Sequence, residues 1–124
     1  MIWTNRGMAA SLFATMLALG ISAKAYAAPA YVINEIEVTD SAGFKTYADR
    51  QGALIQMFGG RFLARGGATE TIAGPKADQR ITIYVFDSMD KLRAWQSAPQ
   101  QTDLAALRDH SSHFRSFAVE GLPN

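Results

Sequence analysis

The sequence predicts an α+β fold in the order β-α-β-β-α-β, a four-stranded antiparallel sheet with two helices on one face. Three observations predict it. Three short runs, Tyr31–Val38, Arg80–Phe86 and Phe114–Val119, hold β-branched and aromatic residues, and a fourth, Arg61–Arg65, alternates with period two between glycine pairs. Two stretches between them repeat apolar residues at three- and four-residue steps, the period of a helix face. Gly59-Gly60, Gly66-Gly67 and Gly74-Pro75 punctuate the junctions.

In the first strand, Val32, Asn34, Ile36 and Val38 share one face, and Tyr31, Ile33, Glu35 and Glu37 the other. The first face is apolar with a single Asn. Asp40 or Ser41 can cap a helix by accepting from free amides. Phe44, Tyr47, Ala48, Gln51, Ile55 and Phe58 then form one helical stripe. Gly52 interrupts it, at about 1 kcal/mol relative to Ala unless a close contact needs a glycine. Gly59 or Gly60 ends the helix.

The second strand is Arg61–Arg65. Strict alternation places Arg61, Leu63 and Arg65 on one side, Phe62 and Ala64 on the other. Such arginines need a carboxylate partner if buried, and Glu35, Glu37 and Glu70 are candidates. Ala68–Ile72 is expected to continue the strand in twisted form, and residues 73–79 to turn. The third strand, Arg80–Phe86, is apolar on both faces and therefore central. Asp87 or Ser88 caps the second helix, which carries Met89, Leu92 and Trp95. Pro99 breaks it, and residues 100–109 restart it with Leu104 and Leu107 inward. His110 to His113 is the exit, and Phe114–Val119 the last strand. Two β-α-β halves of this kind make a ferredoxin-like split βαβ. Both helices cover one sheet face, so apolar side chains on the other need a partner, simplest as a second copy.

Composition sets further bounds. The chain has 124 residues, 48% hydrophobic and 19% charged, which suits one globular domain. It has no cysteine, so packing alone must hold the core. From Ala28 onward ten basic residues face eleven acidic ones, which argues against a nucleic-acid partner. Residues 1–27 read as a secretory signal: Arg6, then the uncharged run from Met8 to Ile21, then Ala25-Tyr26-Ala27 before a cut at Ala28. The apolar run is too short to span a bilayer. The expected protein is therefore exported, periplasmic or secreted, with residues 28–124 as its domain and no stable membrane insertion after cleavage.

Gly59-Gly60-Arg61-Phe62-Leu63-Ala64-Arg65-Gly66-Gly67, with Thr69-Glu70, Trp95, Pro99, Leu104, Leu107-Arg108, Phe114-Arg115 and Val119-Glu120-Gly121, resembles the domain-of-unknown-function family 1330. The resemblance spans roughly Ala30 to Leu122. It implies a dimeric α/β barrel, a ferredoxin-like protomer whose sheet packs on its mate's, and no established reaction. Many relatives carry an acidic residue and an aromatic after the proline, where this chain has Gln100-Gln101. Asn34 and Trp95 resemble residues that line the site of related haem-degrading oxygenases. Those enzymes carry a haem-ligating His where this chain has Ala105, so the resemblance does not extend to haem.

The double-glycine stretch is no phosphate loop, because a helix precedes it and a strand follows. His110 and His113 have no third His or Cys to close a metal site, and Ser111-Ser112 lacks a nucleophile elbow. The candidate pocket is Asn34, Tyr47, Arg65, Trp95 and His113, with no cofactor and no metal expected. Two readings follow. One is a homodimer, joined through its sheet face, that binds a small apolar or anionic molecule. The alternative is a cofactor-independent oxygenase or isomerase of the dimeric α/β-barrel type.

Overall fold

The structure, a computed structural model, describes residues 27–123. The signal segment expected over 1–27 lies outside the described residues, except for Ala27. Seven elements follow one another: β1 (Ala30–Val38), α1 (Ser41–Met57), β2 (Arg61–Arg65), β3 (Arg80–Phe86), α2 (Met89–Gln96), α3 (Gln101–Ser111) and β4 (Ser112–Glu120). The strands form one antiparallel sheet in the order β2-β3-β1-β4, which is the ferredoxin-like arrangement. The second helical stretch is two helices, α2 and α3, because Pro99 lies between them.

Local chemistry explains the boundaries. Asp40 caps α1, its carboxylate accepting from the Gly43 amide at 3.3 Å. At the other end the Gly60 amide reaches back to the Ile55 carbonyl at 2.8 Å. Gly59 holds φ +82, a left-handed value that costs a side-chain-bearing residue energy. Ser88 caps α2 by accepting from the Lys91 amide at 3.2 Å. The two serines at the α3–β4 junction are structural. Ser111 donates to the Leu107 carbonyl and Ser112 to the Arg108 carbonyl, both at 2.7 Å. The Ser111 carbonyl in turn accepts from the amides of Thr39 and Asp40. These bonds tie the end of α3 to the turn that opens α1.

The residues expected to prolong β2, Ala68–Ile72, form no strand. The whole connection from Gly67 to Gln79 is exposed. Thr69 and Thr71 bond to Ala77 across it and give it a local fold of its own.

One sheet face packs under the helices. Val32, Asn34 and Ile36 of β1 meet Thr82, Tyr84 and Phe86 of β3 there. With Phe44, Tyr47, Leu54 and Ile55 of α1, Leu92 and Trp95 of α2 and Leu104 of α3 they form the core. Full burial of one such aliphatic or aromatic side chain contributes about 1.5–3 kcal/mol. The opposite face, with Tyr31, Ile33, Ile83, Phe117 and Val119 in register, carries no helix among the described residues.

A candidate site between sheet and helices

Asn34 lies at the centre of the covered face. Its side chain is 1% exposed and its amide nitrogen donates to Thr82 Oγ1 at 2.8 Å. Its Oδ1 has no partner among the described residues. A buried polar atom left unpaired costs about 1–3 kcal/mol. Turning the amide over would only exchange which of its two atoms is left over. Asn34 also lines a cavity of about 30 Å³ whose walls include Tyr47, Phe62, Tyr84 and Phe114. Such a space holds roughly one or two waters. Burial pushes the Tyr47 and Tyr84 hydroxyls above their ordinary value, so both stay protonated near neutral pH.

Beyond Tyr47, Tyr84, Gln51 and Phe114, which border both spaces, lies a groove of about 270 Å³. Trp95, Gln101, Arg108 and Ser116 complete its walls. Trp95 is fixed firmly. Its indole N–H donates to Gln51 Oε1 at 3.0 Å, and Gln51 donates to Gln101 Oε1 at 2.8 Å. Gln101 then donates to the Trp95 carbonyl at 3.1 Å, which closes a ring of three residues. The indole also packs on Tyr84 and Phe86, with centroids 5.5 and 5.3 Å away. Trp95 is thus a wall with its polar tip already satisfied. Arg108 is held by Asp109, whose carboxylate accepts from Nε at 2.9 Å. That bond keeps the Asp109 carboxyl below its usual range.

Arg65 departs from the alternation expected of β2. A bulge at Leu63 shifts the register, so Phe62 pairs with Tyr84 while Arg65 pairs with Thr82. Tyr84 and Thr82 share the covered face, and Arg65 therefore joins Phe62 on it. Arg61 pairs with Val85 on the open face. The two arginines do not share a face as alternation required. Nor does either make an ion pair among the described residues: Glu35 pairs with Arg115 at 3.2 Å instead. The Arg65 guanidinium lies 4.2 Å from the Phe62 ring centroid and donates to the Ala48 carbonyl at 3.1 Å. Gly52 is the glycine this contact needs, since a Cβ there would lie 3.1 Å from Arg65 Nη2. Arg80 stands close by, 5.7 Å from the Phe44 ring centroid. Both arginines line the small cavity and a cleft of about 470 Å³ outside it.

The structure therefore brings Asn34, Tyr47 and Arg65 to one cavity and places Trp95 on the adjoining groove. His113 is a correction. It is the second residue of β4, opposite Glu37 in the register and on the open face, because Ser112 before it faces inward. Sequence reasoning missed Arg80, Thr82, Tyr84, Gln51, Gln101 and Arg108. Gln51 carried a signal, being a polar residue on an apolar stripe.

A ferredoxin-like sheet with an aromatic, partly polar space beneath its helices defines the class. Within it, the chain belongs to the family described as domain of unknown function, DUF1330, which matches residues 29–122. No curated protein matches the sequence. Among solved structures, it is similar to SnoaB, a cofactor-independent oxygenase from Streptomyces nogalater, with TM-score 0.59 and 18% identity over 79% of this chain and 97% of that one. A protein of unknown function from Rhodopseudomonas palustris has TM-score 0.62 and 15% identity over 82% and 88%. One from Bacteroides thetaiotaomicron, described as a possible oxidoreductase, has TM-score 0.53 and 12% identity over 75% and 97%. At these identities the likeness is one of fold.

Proposed function

We propose that this protein binds a small, largely apolar molecule between α1 and the sheet. Buried Asn34 carries the reading: a polar side chain with an unpaired Oδ1 is kept at a cost in the wall of a small aromatic cavity beside larger clefts, where it can orient the part of a guest that enters. Thermal-shift screening of the purified protein against metabolites tests it, because a molecule that binds only the folded state raises the unfolding temperature. Hits should disappear when Asn34 is replaced by Leu. A screen without hits at high ligand excess would overturn the reading.

Two further parts of the proposal concern assembly and address. The open sheet face packs on a second copy, and residues 1–27 direct export to the periplasm or beyond. The mass of the purified chain from its native host tests the second point, with a start at Ala28 expected. A second reading, turnover of the bound molecule by cofactor-independent oxygenation or isomerisation, draws support from the fold shared with SnoaB. Oxygen uptake with any hit from the screen, compared between the natural protein and Asn34→Leu, separates a binder from an enzyme.

A further inference from the structure

We propose that the bound molecule carries a carboxylate, and that Arg65 and Arg80 receive it at the mouth of the cavity. This inference rests on the binding reading above and adds the chemical class of the ligand. Four observations support it. First, both arginines line the small cavity and also the outer cleft, so they stand where the two meet. Second, neither has a carboxylate within ion-pair distance among the described residues. Asp49, which borders the outer cleft, is taken by Lys45 at 2.7 Å.

Third, both side chains, though exposed, lie against neighbouring residues. Gly52 leaves room for Arg65, and the Phe62 ring and Ala48 carbonyl fix it. Gly66 holds φ +71, which favours a glycine, and the Arg80 guanidinium lies over it, its Cζ 2.4 Å from where a Cβ would stand. The Phe44 ring lies near the same guanidinium. Fourth, the bulge at Leu63 turns Arg65 onto the face that already carries Arg80, on the neighbouring strand. Arg65 pairs with Thr82 and so lies diagonal to Arg80, and two like charges around one space repel each other. An anion between them reverses the sign of that interaction, and planar forks of donors suit a carboxylate. The Phe44 and Phe62 rings beside the guanidiniums offer an apolar surface to the rest of the molecule.

Isothermal titration of the purified protein with 2-naphthoate, naphthalene-2-carboxamide and inorganic phosphate tests the inference. The carboxylate should bind at least about tenfold more tightly than the isosteric amide, the size of a charge-assisted hydrogen bond. Arg65→Gln or Arg80→Gln should bring the affinity for the acid down to that for the amide. Arg61→Gln, on the opposite face, should change neither. Equal affinity for acid and amide, or for phosphate and naphthoate, would overturn the carboxylate assignment and leave the cavity reading intact. Failure of all three probes, together with a screen without hits, would overturn both.

Discussion

Asn34 occupies a position where a strand facing a helix-covered core ordinarily holds valine or isoleucine. Its single bond to Thr82 leaves half the amide without a partner. Removing both partners together avoids stranding a hydroxyl. Asn34→Leu with Thr82→Val should therefore leave stability unchanged or raise it by about 1 kcal/mol in denaturant titration. Ligand stabilisation should be lost in the same variant. A marked fall in stability would mean that the amide serves the fold rather than a guest. Gly52 and Arg65 make a second test at this scale. Alanine is worth about 1 kcal/mol more than glycine inside an exposed helix. At residue 52 it would push on the Arg65 guanidinium. Gly52→Ala should thus stabilise an Arg65→Ala background by about that amount, and the natural protein by clearly less. A double-mutant cycle reads the difference as coupling, and zero coupling would remove Gly52 from the account of Arg65.

Elements join through tight contacts that leave little freedom. The α1–β2 connection is the sharpest case. A Cβ on Gly60 would lie 2.6 Å from Ile55 Cγ2 and 2.8 Å from Phe86 Cε1, both in the core. Gly60→Ala should cost about 1–3 kcal/mol through overpacking, measured by equilibrium unfolding. The order of strands and helices was legible because β-branched runs, caps and glycine stops are local signals. Asp40, Ser88 and Pro99 behave as their chemistry requires. The face of Arg65 was not legible, because a bulge is set by pairing with β3 and has no local signature in Arg61–Arg65. The irregular path after Gly67 was hidden for a related reason: Thr69 and Thr71 favour a strand by type but bond to Ala77 instead. For the site, Asn34 stood out as a lone polar residue on an apolar face. Arg80 and Arg108 did not, since nothing local says which end of the sheet or which helix turn will border a cavity.

At the scale of the whole molecule, two buried hydroxyls couple folding to alkaline pH. Burial raises the Tyr84 and Tyr47 values above the ordinary 10.0. The unfolded chain then releases its phenolic protons first, so stability is full below pH 10 and falls as pH rises further. Tyr84→Phe should make that fall shallower, by up to about 1.4 kcal/mol per pH unit above pH 10. An unchanged slope in urea titrations between pH 9 and 11 would contradict the buried, protonated state.

Among the described residues, no helix covers the second sheet face. Phe117 and Val119 are 39% and 48% exposed there, beside Tyr31 and Ile33 in the register. The Arg115 guanidinium lies 5.0 Å from the Phe117 ring centroid and pairs with Glu35, so the apolar surface has a charged border. An apolar centre with a polar rim is how protein interfaces are built. A second copy presents the same surface about a two-fold axis, which makes self-association the simplest way to cover it. Phe117→Glu separates this association from folding. In a lone chain the side chain reaches water, and such substitutions usually stay within about 0.5 kcal/mol. In a face-to-face dimer the same carboxylate would be taken out of water without a partner, at a cost the interface could not absorb. Sedimentation equilibrium should therefore show the natural protein at twice the chain mass. Phe117→Glu should sediment as a single chain with an unchanged circular dichroism spectrum. A natural protein that remains monomeric at micromolar concentration would leave this face open and rule out the two-sheet barrel.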